Sequence, residues 1–441
     1  MSQHASRRSY GRSRLSLAVA GTVVAVVVAS GVAAGGVLGG GGAQGADAAT
    51  VTIPSRGYSP QVVQRAYGVA PLLREGINGR GETVVLPETL PPGGGLTHIR
   101  QDLAAFDTRD HLPQVDLTIG RALGFTGDIA LADSEEVQDA EMVHAIAPAA
   151  KIAVMLIPLR AFTDPPRLAS LLHAAARRGN VVSFSQSECE SKRCLSAGQL
   201  RSLNRALRFA RDRHVSIFSS AGDSGAFTGS LGAGAKRGVL VPASSPLVTG
   251  VGGTTLTVHQ DGAYGSERVW NDDIHHPSST GARLSATGGG VSARYARPGY
   301  QDGLPVIGGH RGVPDVAAVA EPGMATVLVR GGHAGIYAGG GTSESAPLWA
   351  GIAALADQDA HRQLGFLNAG LYRIGHSPLY HRAFHDVTHG NNTVTLPSGK
   401  NVIGYRARPG WDPVTGWGSP NAQVLVPLLG KEVRPGDGRG L

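Results

Sequence analysis

The chain has 441 residues, which is enough for one large α/β domain or two ordinary ones with a sizeable core. Its 64 glycines and 41% hydrophobic content are typical of a compact, turn-rich globular protein. The formal net charge is +7, but lysine and arginine are scattered rather than interleaved with aromatic residues in a basic stripe, which argues against nucleic acid as a partner.

The first 48 residues are predicted to be an export signal. Four arginines between positions 7 and 14 precede an uncharged run from Leu15 to about Gly42, and Ala46-Asp47-Ala48 offers the small residues of a cleavage site. The protein is therefore expected to be secreted. An uncleaved segment would instead anchor it in the membrane, with the rest of the chain facing outside.

Beyond this segment, strand-length apolar runs alternate with amphipathic stretches. Helices are predicted over residues 61–67, 96–106, 134–146, 166–178 and 197–213. Strands are predicted over residues 83–86, 152–157, 181–184 and 215–219, with further apolar runs at 238–241, 254–258 and 325–329. The alternation predicts an α/β fold in which parallel strands carry crossover helices on both faces of the sheet. No linker divides residues 50–430, and the polar residues 431–441 are expected to be a flexible tail.

The two cysteines, Cys189 and Cys194, are separated by four residues. No other cysteine competes for either of them. In an exported protein such a pair predicts a local disulfide that closes a loop, since a metal site would need further ligands nearby.

A glycine-rich segment, Gly339-Gly340-Gly341-Thr342-Ser343, leads into the apolar run from Leu348 to Ala356. The glycines allow a tight strand-to-helix turn, and Pro347 is expected in the first turn of the helix, where its missing N–H is tolerated. Such a turn either uses Ser343 as a helix cap or exposes it as a nucleophile beside the free N–H groups of the helix start. The choice depends on the partners that the rest of the chain supplies.

Two acidic residues, Glu135 and Asp139, lie four positions apart in the predicted helix 134–146. Both carboxylates therefore project from one helical face, and no lysine or arginine follows before Lys151. The pair is either a solvated acidic face or a proton-sharing pair in which one member acts as a base at acid pH.

A third acidic residue, Asp223, follows the predicted strand 215–219 in the segment Gly222-Asp223-Ser224-Gly225. This position is the carboxyl end of a parallel strand, where the binding and active sites of α/β proteins are usually found. The same four residues also surround the nucleophile of trypsin-like proteases, which would make Ser224 the catalytic serine. That fold is all-β and normally disulfide-linked, whereas this chain alternates strands with helices and has two cysteines.

Two further aspartates, Asp386 and Asp412, lie in glycine-containing loops. Carboxylates beside backbone carbonyls suit a hard cation such as calcium. Aspartates in loops are also ordinary turn residues, so these residues alone leave both interpretations open.

The segment Gly-Thr-Ser-x-x-x-Pro is similar to the nucleophile motif of the subtilisins, whose base is a histidine in a His-Gly-Thr-His context. None of the 16 histidines has that context, so a carboxylate becomes the natural base. With its acidic residues the chain resembles the sedolisins, the serine-carboxyl peptidases, which have a subtilisin-like fold and a Ser-Glu-Asp triad. The resemblance runs from about Ser59 to Val426. Further matching segments are Pro242-Ala243-Ser244-Ser245-Pro246, Val251-Gly252-Gly253-Thr254-Thr255, Gly288-Gly289-Gly290-Val291-Ser292, Val313-Pro314-Asp315-Val316 and Gly410-Trp411-Asp412-Pro413.

The resemblance implies one large catalytic domain over residues 49–430 and a role for each acidic residue. Ser343 would be the nucleophile, Glu135 the general base and Asp139 its partner. Asp223 would line the oxyanion hole, and Glu88 matches a position where some members extend the proton network. A base must be ionised, whereas a carboxyl that donates to an oxyanion must be protonated, so the site is expected to work in acid.

The resemblance also implies one calcium ion. Its ligands would be the carboxylates of Asp386 and Asp412 and the backbone carbonyls of Val387, Arg408 and Gly410. Arg408 stands where members of the family often have glycine, a change that a carbonyl ligand tolerates if the backbone angles allow it.

We therefore expect a secreted, monomeric, acid-active endopeptidase that hydrolyses polypeptides through an acyl-enzyme on Ser343. The alternative is a catalytically inactive or specialised descendant that binds peptides or cell-wall components. Two departures from the family motivate it. The resemblance begins almost directly after the export segment, without the usual large propeptide, and Ser185 is followed by Gln186 where many members have tryptophan.

Overall fold

A computed structural model describes residues 57–90, 97–158, 165–192, 194–228, 236–275 and 285–441. The predicted export signal lies outside the described residues. Within them, we find no helix that combines the length and the apolar character needed to cross a membrane.

An eight-stranded sheet forms the centre of the domain. Its strands are β1 (Thr83–Thr89), β3 (Asp116–Arg121), β5 (Lys151–Ile157), β6 (Val181–Phe184), β8 (Ser216–Ser220), β10 (Thr249–Val258), β11 (Tyr264–Val269) and β14 (Val316–Val319). The strand order is β11-β10-β8-β6-β1-β5-β3, with β14 also beside β10. Every neighbouring pair is parallel except β10 with β11, which confirms the predicted α/β fold.

The remaining strands form small two-stranded units outside this sheet. They are β2 (Thr97–His98), β4 (Leu131–Ala132), β7 (Glu188–Cys189), β9 (Leu240–Val241), β12 (Gly290–Ala296), β13 (His310–Val313), β15 (Ala325–Arg330), β16 (His333–Ala338), β17 (Phe384–His385), β18 (Val394–Thr395), β19 (Asn401–Val402) and β20 (Ser419–Pro420). The hairpin β15–β16 matters for the site, because β16 ends directly before the glycine-rich segment at 339–341.

Helices cover both faces of the sheet, as predicted. They are α1 (Pro60–Ala66), α2 (Val69–Arg74), α3 (Ile99–Asp110), α4 (Ser134–Ile146), α5 (Pro165–Ala175), α6 (Ala197–Asp212), α7 (Asp272–His275), α8 (Thr342–Asp359), α9 (Asn368–Gly375), α10 (Tyr380–Ala383) and α11 (Ala422–Glu432), with 3₁₀ turns at Gly299–Gln301 and Pro305–Ile307. Helix α4 has the predicted bounds, whereas α3 begins three residues later than predicted and continues to Asp110.

The side chains of each central strand alternate between two separate cores, as the two-residue period of a strand requires. In β1, Val84 and Leu86 pack in the core that contains α4 and α8, while Val85 packs in the core that contains α5 and α6. Glu88 continues the alternation of Val84 and Leu86. Its carboxyl is therefore on the α4 side of the sheet, where it is fully buried.

Three central strands escaped prediction for local reasons. Strand β11, the antiparallel strand at one edge of the sheet, is largely polar and partly exposed. Strand β3 lies at the edge of the sheet, and its residues are mostly polar and partly exposed, so it has no apolar run. Strand β14 is only four residues long. The apolar run at 325–329 does form a strand, but it pairs with β16 and not with the central sheet.

The predicted tail begins inside the last helix, because α11 continues to Glu432. The residues after it contact the domain. Asp437 forms an ion pair with Arg373, and the backbone oxygen of Leu441 accepts a hydrogen bond of 2.9 Å from Arg208.

The predicted disulfide is present between Cys189 and Cys194, whose Cα atoms are 5.8 Å apart. It closes the loop that follows β7, and β7 pairs with β9. Among the residues that the structure describes, one group of three His, Cys, Asp or Glu side chains lies close enough together to hold a metal. It consists of these two cysteines and Glu188. The disulfide uses both sulfurs, so this group is not a metal site.

Candidate active site

Helix α4 begins with a capping box that separates the roles of two adjacent glutamates. Asp133 caps the helix, and its own backbone N–H donates to the Glu136 carboxylate over 2.6 Å. The Glu136 carboxylate therefore caps the start of the helix. It is fully buried, and burial raises the pKa of Glu136 to about 8. Glu135, on the next helical position back, remains available for a contact outside the helix.

Glu135 contacts the serine that the sequence singled out. The Ser343 hydroxyl forms a hydrogen bond with the Glu135 carboxylate, and Ser343 itself is only 9% exposed. Burial raises the pKa of Glu135 above its ordinary value, the hydrogen bond with Ser343 opposes this rise, and the nearby charges of Asp223 and Asp133 add to it. Serine and carboxylate are thus placed as a nucleophile and base require.

Asp139, one helical turn further on, connects Glu135 to a second buried acid. Asp139 and Glu88 are both fully buried. Burial, followed by the charge of Glu135, raises the pKa of Asp139 well above its ordinary value. The pKa of Glu88 is raised in the same way by burial and then by the charge of Asp139. Two carboxyl groups in such surroundings cannot both ionise, so they hold at least one proton between them.

Ser185, at the carboxyl end of β6, donates a short hydrogen bond to the Asp139 carboxylate. The same hydroxyl also lies 3.2 Å from the backbone carbonyl of Ser343. Ser185 therefore joins the acidic pair to the nucleophile turn. The sequence contained one signal for this role, since Ser185 follows a predicted parallel strand just as Asp223 does.

The nucleophile turn is built on Gly341, which caps α8 with a φ of 83°. Two independent reasons exclude a side chain at Gly341. Its φ lies in the left-handed region, and a Cβ atom would lie 2.6 Å from the Asp223 carboxyl. The next residue back, Gly340, is held by the Gln138 side chain, which accepts from its N–H over 3.1 Å and donates to its carbonyl over 3.0 Å. Gln138 lies on α4 between Glu135 and Asp139, so one helix positions both the base and the turn.

The prediction that Pro347 lies in the first turn of the helix is wrong. Helix α8 already begins at Thr342, so Pro347 is inside it, because the tight glycine turn brings Thr342 and Ser343 into helical geometry. The missing N–H of Pro347 would have donated to the carbonyl of Ser343, four residues earlier. Ser185 contacts that carbonyl instead.

Asp223 contacts Thr342, the residue directly before Ser343. Its Oδ1 atom accepts hydrogen bonds from the Thr342 N–H at 2.8 Å and the Thr342 hydroxyl at 2.7 Å. The Thr342 hydroxyl oxygen accepts in turn from the Gly222 N–H at 3.0 Å. Burial raises the pKa of Asp223, and the hydrogen bonds from Thr342 oppose the rise. In its protonated form the second oxygen, Oδ2, is free to donate to an oxyanion.

The alternative that made Ser224 the nucleophile of a trypsin-like fold is excluded by the architecture. The sheet is parallel and helix-covered, not a pair of β-barrels. Ser224 instead forms an isolated bridge with Ala286 in the loop after Asp223.

The two aspartates predicted to bind calcium are brought together in the structure. Asp386 accepts from the Gly410 N–H over 2.9 Å, and Asp412 accepts at 2.9 Å from the N–H groups of Arg408, Val414 and Thr415. Asp412 is fully buried, and burial raises its pKa to about 7. In the part of the chain that the structure describes, neither carboxylate has an ion-pair partner among those found. Carboxylates and backbone carbonyls are the donors that a hard cation prefers.

Sequence reasoning missed three residues of the site. Ser185, Gln138 and Thr342 all act through contacts with residues more than forty positions away. None of them carries a charge. The available signals were that Thr342 belongs to the Gly-Thr-Ser motif and that Ser185 follows a predicted parallel strand.

The fold and the site define a subtilisin-like serine peptidase class in which acidic side chains surround the serine in place of a histidine. No family model matches the chain. Kumamolisin from Bacillus sp. (strain MN-32) is 33% identical over 383 residues, which cover 84% of this chain and 63% of kumamolisin. Sedolisin from Pseudomonas sp. (strain 101) is 33% identical over 243 residues, covering 54% of this chain and 39% of sedolisin.

Among solved structures, Pseudomonas sedolisin, a serine-carboxyl proteinase complexed with two molecules of pseudo-iodotyrostatin, matches with a TM-score of 0.69 and 26% identity. The match covers 86% of this chain and 100% of that one. The chain belongs to the sedolisin family of serine-carboxyl peptidases. It spans less than two thirds of the length of the curated relatives that it matches.

Proposed function

We propose that this protein is a secreted, monomeric, acid-active endopeptidase that hydrolyses polypeptides through an acyl-enzyme on Ser343. The observation that carries the proposal is that Ser343 contacts one acidic residue, while the residue directly before it contacts another. Its hydroxyl bonds to Glu135, and Asp223 holds the adjacent residue, Thr342. The relatives, which are named as peptidases of this family, support the same reaction.

Glu135 acts as the general base. It takes the proton of the Ser343 hydroxyl while the oxygen attacks the carbonyl carbon of the scissile bond, and it returns that proton to the leaving amine as the C–N bond breaks. Water then attacks the ester while Glu135 accepts its proton, and Glu135 returns that proton to the Ser343 oxygen as the ester C–O bond breaks and the carboxylic acid product leaves. The hydrogen bond with Ser343 opposes the rise in the pKa of Glu135 and so favours the ionised form of the base. Asp139 and Glu88 stay protonated and stabilise that charge.

Asp223 supplies the oxyanion donor. Its Oδ1 atom is used by Thr342, so the proton sits on Oδ2, above Gly341. This donor exists only while the carboxyl is protonated. Ionisation of Glu135 therefore sets the acid limit of activity, and ionisation of Asp223 sets the alkaline limit.

One calcium ion is proposed as a structural partner, held by Asp386, Asp412 and the carbonyls of Val387, Arg408 and Gly410. When bound, it would compensate two carboxylates in a largely buried site. The site shares no residue with the nucleophile, the base or the oxyanion donor, so the ion would act on stability and not on the chemical step.

The test is digestion of an unfolded protein by Ser343→Ala, Glu135→Ala and Asp223→Ala at about pH 4. Each variant should lose cleavage. Full activity in any of them would refute the role given to that residue. A protein that bound peptides without cleaving them, from about pH 3 to about pH 8, would support the binding alternative instead.

Two neighbouring positions provide matched controls. Glu136→Gln should keep activity, because glutamine also completes a capping box. Ser345→Ala should keep activity as well, since the Ser345 hydroxyl bonds only to the backbone oxygens of Ala318 and Val319 among its described partners.

A further inference from the structure

The residue after the nucleophile, Glu344, is a buried acid that the proposed reaction does not use. It is fully buried in the first turn of α8. One carboxyl oxygen, Oε1, accepts a short hydrogen bond from the backbone N–H of Met324. The other, Oε2, has no hydrogen-bond partner in the described part of the chain.

The Glu344 carboxyl packs against two backbone segments, 320–324 and 339–341, which are hydrogen-bonded to each other. The N–H of Gly323 donates to the carbonyl of Gly339 at 3.1 Å, and the N–H of Gly339 donates to the carbonyl of Met324 at 2.9 Å. A Cβ atom on Gly323 would lie 1.6 Å from Oε2, and one on Gly339 would lie 2.9 Å from it. Glycine at both positions thus leaves room for this carboxyl group.

A charge on Glu344 would be unfavourable in these surroundings. The titratable groups that act on it are Glu321, from segment 320–324, and Glu135, from α4, and both are acidic. Burial, opposed by the hydrogen bond from Met324, raises the pKa of Glu344 well above its ordinary value, and those two charges add to the rise. An ionised Glu344 would also disfavour the ionised base Glu135, because like charges repel strongly where water is excluded.

A second buried glutamate of the same chemistry offers a contrast. Glu141, on α4, is fully buried and accepts from the backbone N–H of Val327 in β15. It therefore ties a helix to the hairpin, whereas Glu344 ties α8 to segment 320–324. Glu141 lies six residues after Glu135 on α4 and has no contact with the nucleophile turn among those found.

We propose that Glu344 is a positioning residue whose neutral carboxyl holds the glycine turn 339–341 against segment 320–324, so that Ser343 keeps its hydrogen bond to Glu135. This inference rests on the proposed peptidase function. Glu344 touches neither substrate nor reacting atoms. Its effect on turnover passes through the orientation of Ser343.

The experiment compares Glu344→Gln, Glu344→Ala and Glu344→Asp with the unsubstituted protein on one peptide substrate in acid. Glutamine keeps the acceptor for Met324 and cannot ionise, so kcat should stay within about threefold of the original value. Alanine removes the acceptor, and aspartate is one methylene too short to reach it. Both should lower kcat roughly tenfold or more while KM changes less than about twofold. Thermal melts establish that each variant is folded, and Glu344→Asp serves if the alanine variant does not fold.

Glu141→Gln and Glu141→Ala are the controls. They should change the melting temperature without lowering kcat, which separates a structural acid from a positioning one. The proposal for Glu344 is overturned if Glu344→Ala and Glu344→Asp keep the original kcat, or if Glu344→Gln falls as far as they do. An unsubstituted protein that cleaves no peptide would refute the proposed function itself, a result distinct from either of these.

Discussion

Replacing Ser185 with alanine should lower both the stability of the protein and its turnover. The Ser185 hydroxyl is the one described group that contacts both the Asp139 carboxylate and the backbone carbonyl of Ser343. Pro347 cannot supply a hydrogen bond to that carbonyl. Ser185→Ala therefore leaves two buried acceptors without this donor, in a region that water does not reach.

The magnitude follows from those two contacts. A buried acceptor left unpaired costs about 1–3 kcal/mol, and a hydrogen bond between neutral groups contributes about 0.5–1.5 kcal/mol. Because the two contacts share one hydroxyl and are not additive, we expect the free energy of unfolding to fall by about 2–4 kcal/mol. Turnover should fall roughly tenfold, which corresponds to about 1.4 kcal/mol in the barrier, since the nucleophile turn is less firmly held.

Ser183→Ala is the matched control on the same strand. Ser183 is fully buried two residues before Ser185, but its hydroxyl has no hydrogen-bond partner among the described residues. Removing an unpaired buried hydroxyl should be neutral or slightly stabilising, within about 0.5 kcal/mol. Chemical denaturation of both variants at one acid pH, followed by peptide hydrolysis, measures the two effects. Equal stability of Ser185→Ala and Ser183→Ala would refute the reasoning.

Three further outcomes are expected. Asp223→Ala should lower kcat by about 10²–10³-fold. Asp223→Asn keeps an acceptor for Thr342 and a donor at the Oδ2 position, so its decrease in kcat should be roughly tenfold smaller. Equal decreases in kcat for the two variants would contradict the oxyanion role. Stability should be greatest in acid and fall as the pH rises through about 7, because buried carboxyls such as Asp357, whose pKa burial raises to about 7, bind their protons more tightly in the folded state. The shifted pKa of Asp357 alone should lower the free energy of unfolding by about 4 kcal/mol between acid and high pH. A melting temperature of the Ser343→Ala variant that increased from about pH 4 to about pH 8 would exclude this account. Calcium chelation should lower the melting temperature by leaving Asp386 and Asp412 uncompensated, so an unchanged melt and no bound metal would remove the calcium site.

Local features of the sequence were enough to predict the helix that carries the base. The predicted bounds of α4, residues 134–146, are the observed ones, and the cap and the acidic first turn that the structure shows there are local features. The same locality explains why Glu135 and Asp139 were correctly placed on one face, since their spacing is a property of the helix alone. The central strands β1, β5, β6 and β8 were likewise recognisable, because each is a short apolar run between turns.

Where interactions were not local, the sequence was insufficient. Asp133 and Glu136 complete their capping box only in the folded helix, and this contact, not composition, separates Glu136 from Glu135. Pro347 was placed wrongly because a tight turn before Thr342 lets the helix begin earlier than the glycines suggest.

The sequence by itself determined the α/β class and the disulfide and indicated the candidate reactive groups, since these depend on residue type, short spacing and motif. Only the tertiary structure decided how those groups share protons. The pKa of a carboxyl depends on the water excluded around it and on charges brought near it by folding. Glu88, Asp139 and Ser185 are each more than forty residues apart in the chain, and it is their burial in one place that turns separate acidic residues into a coupled site.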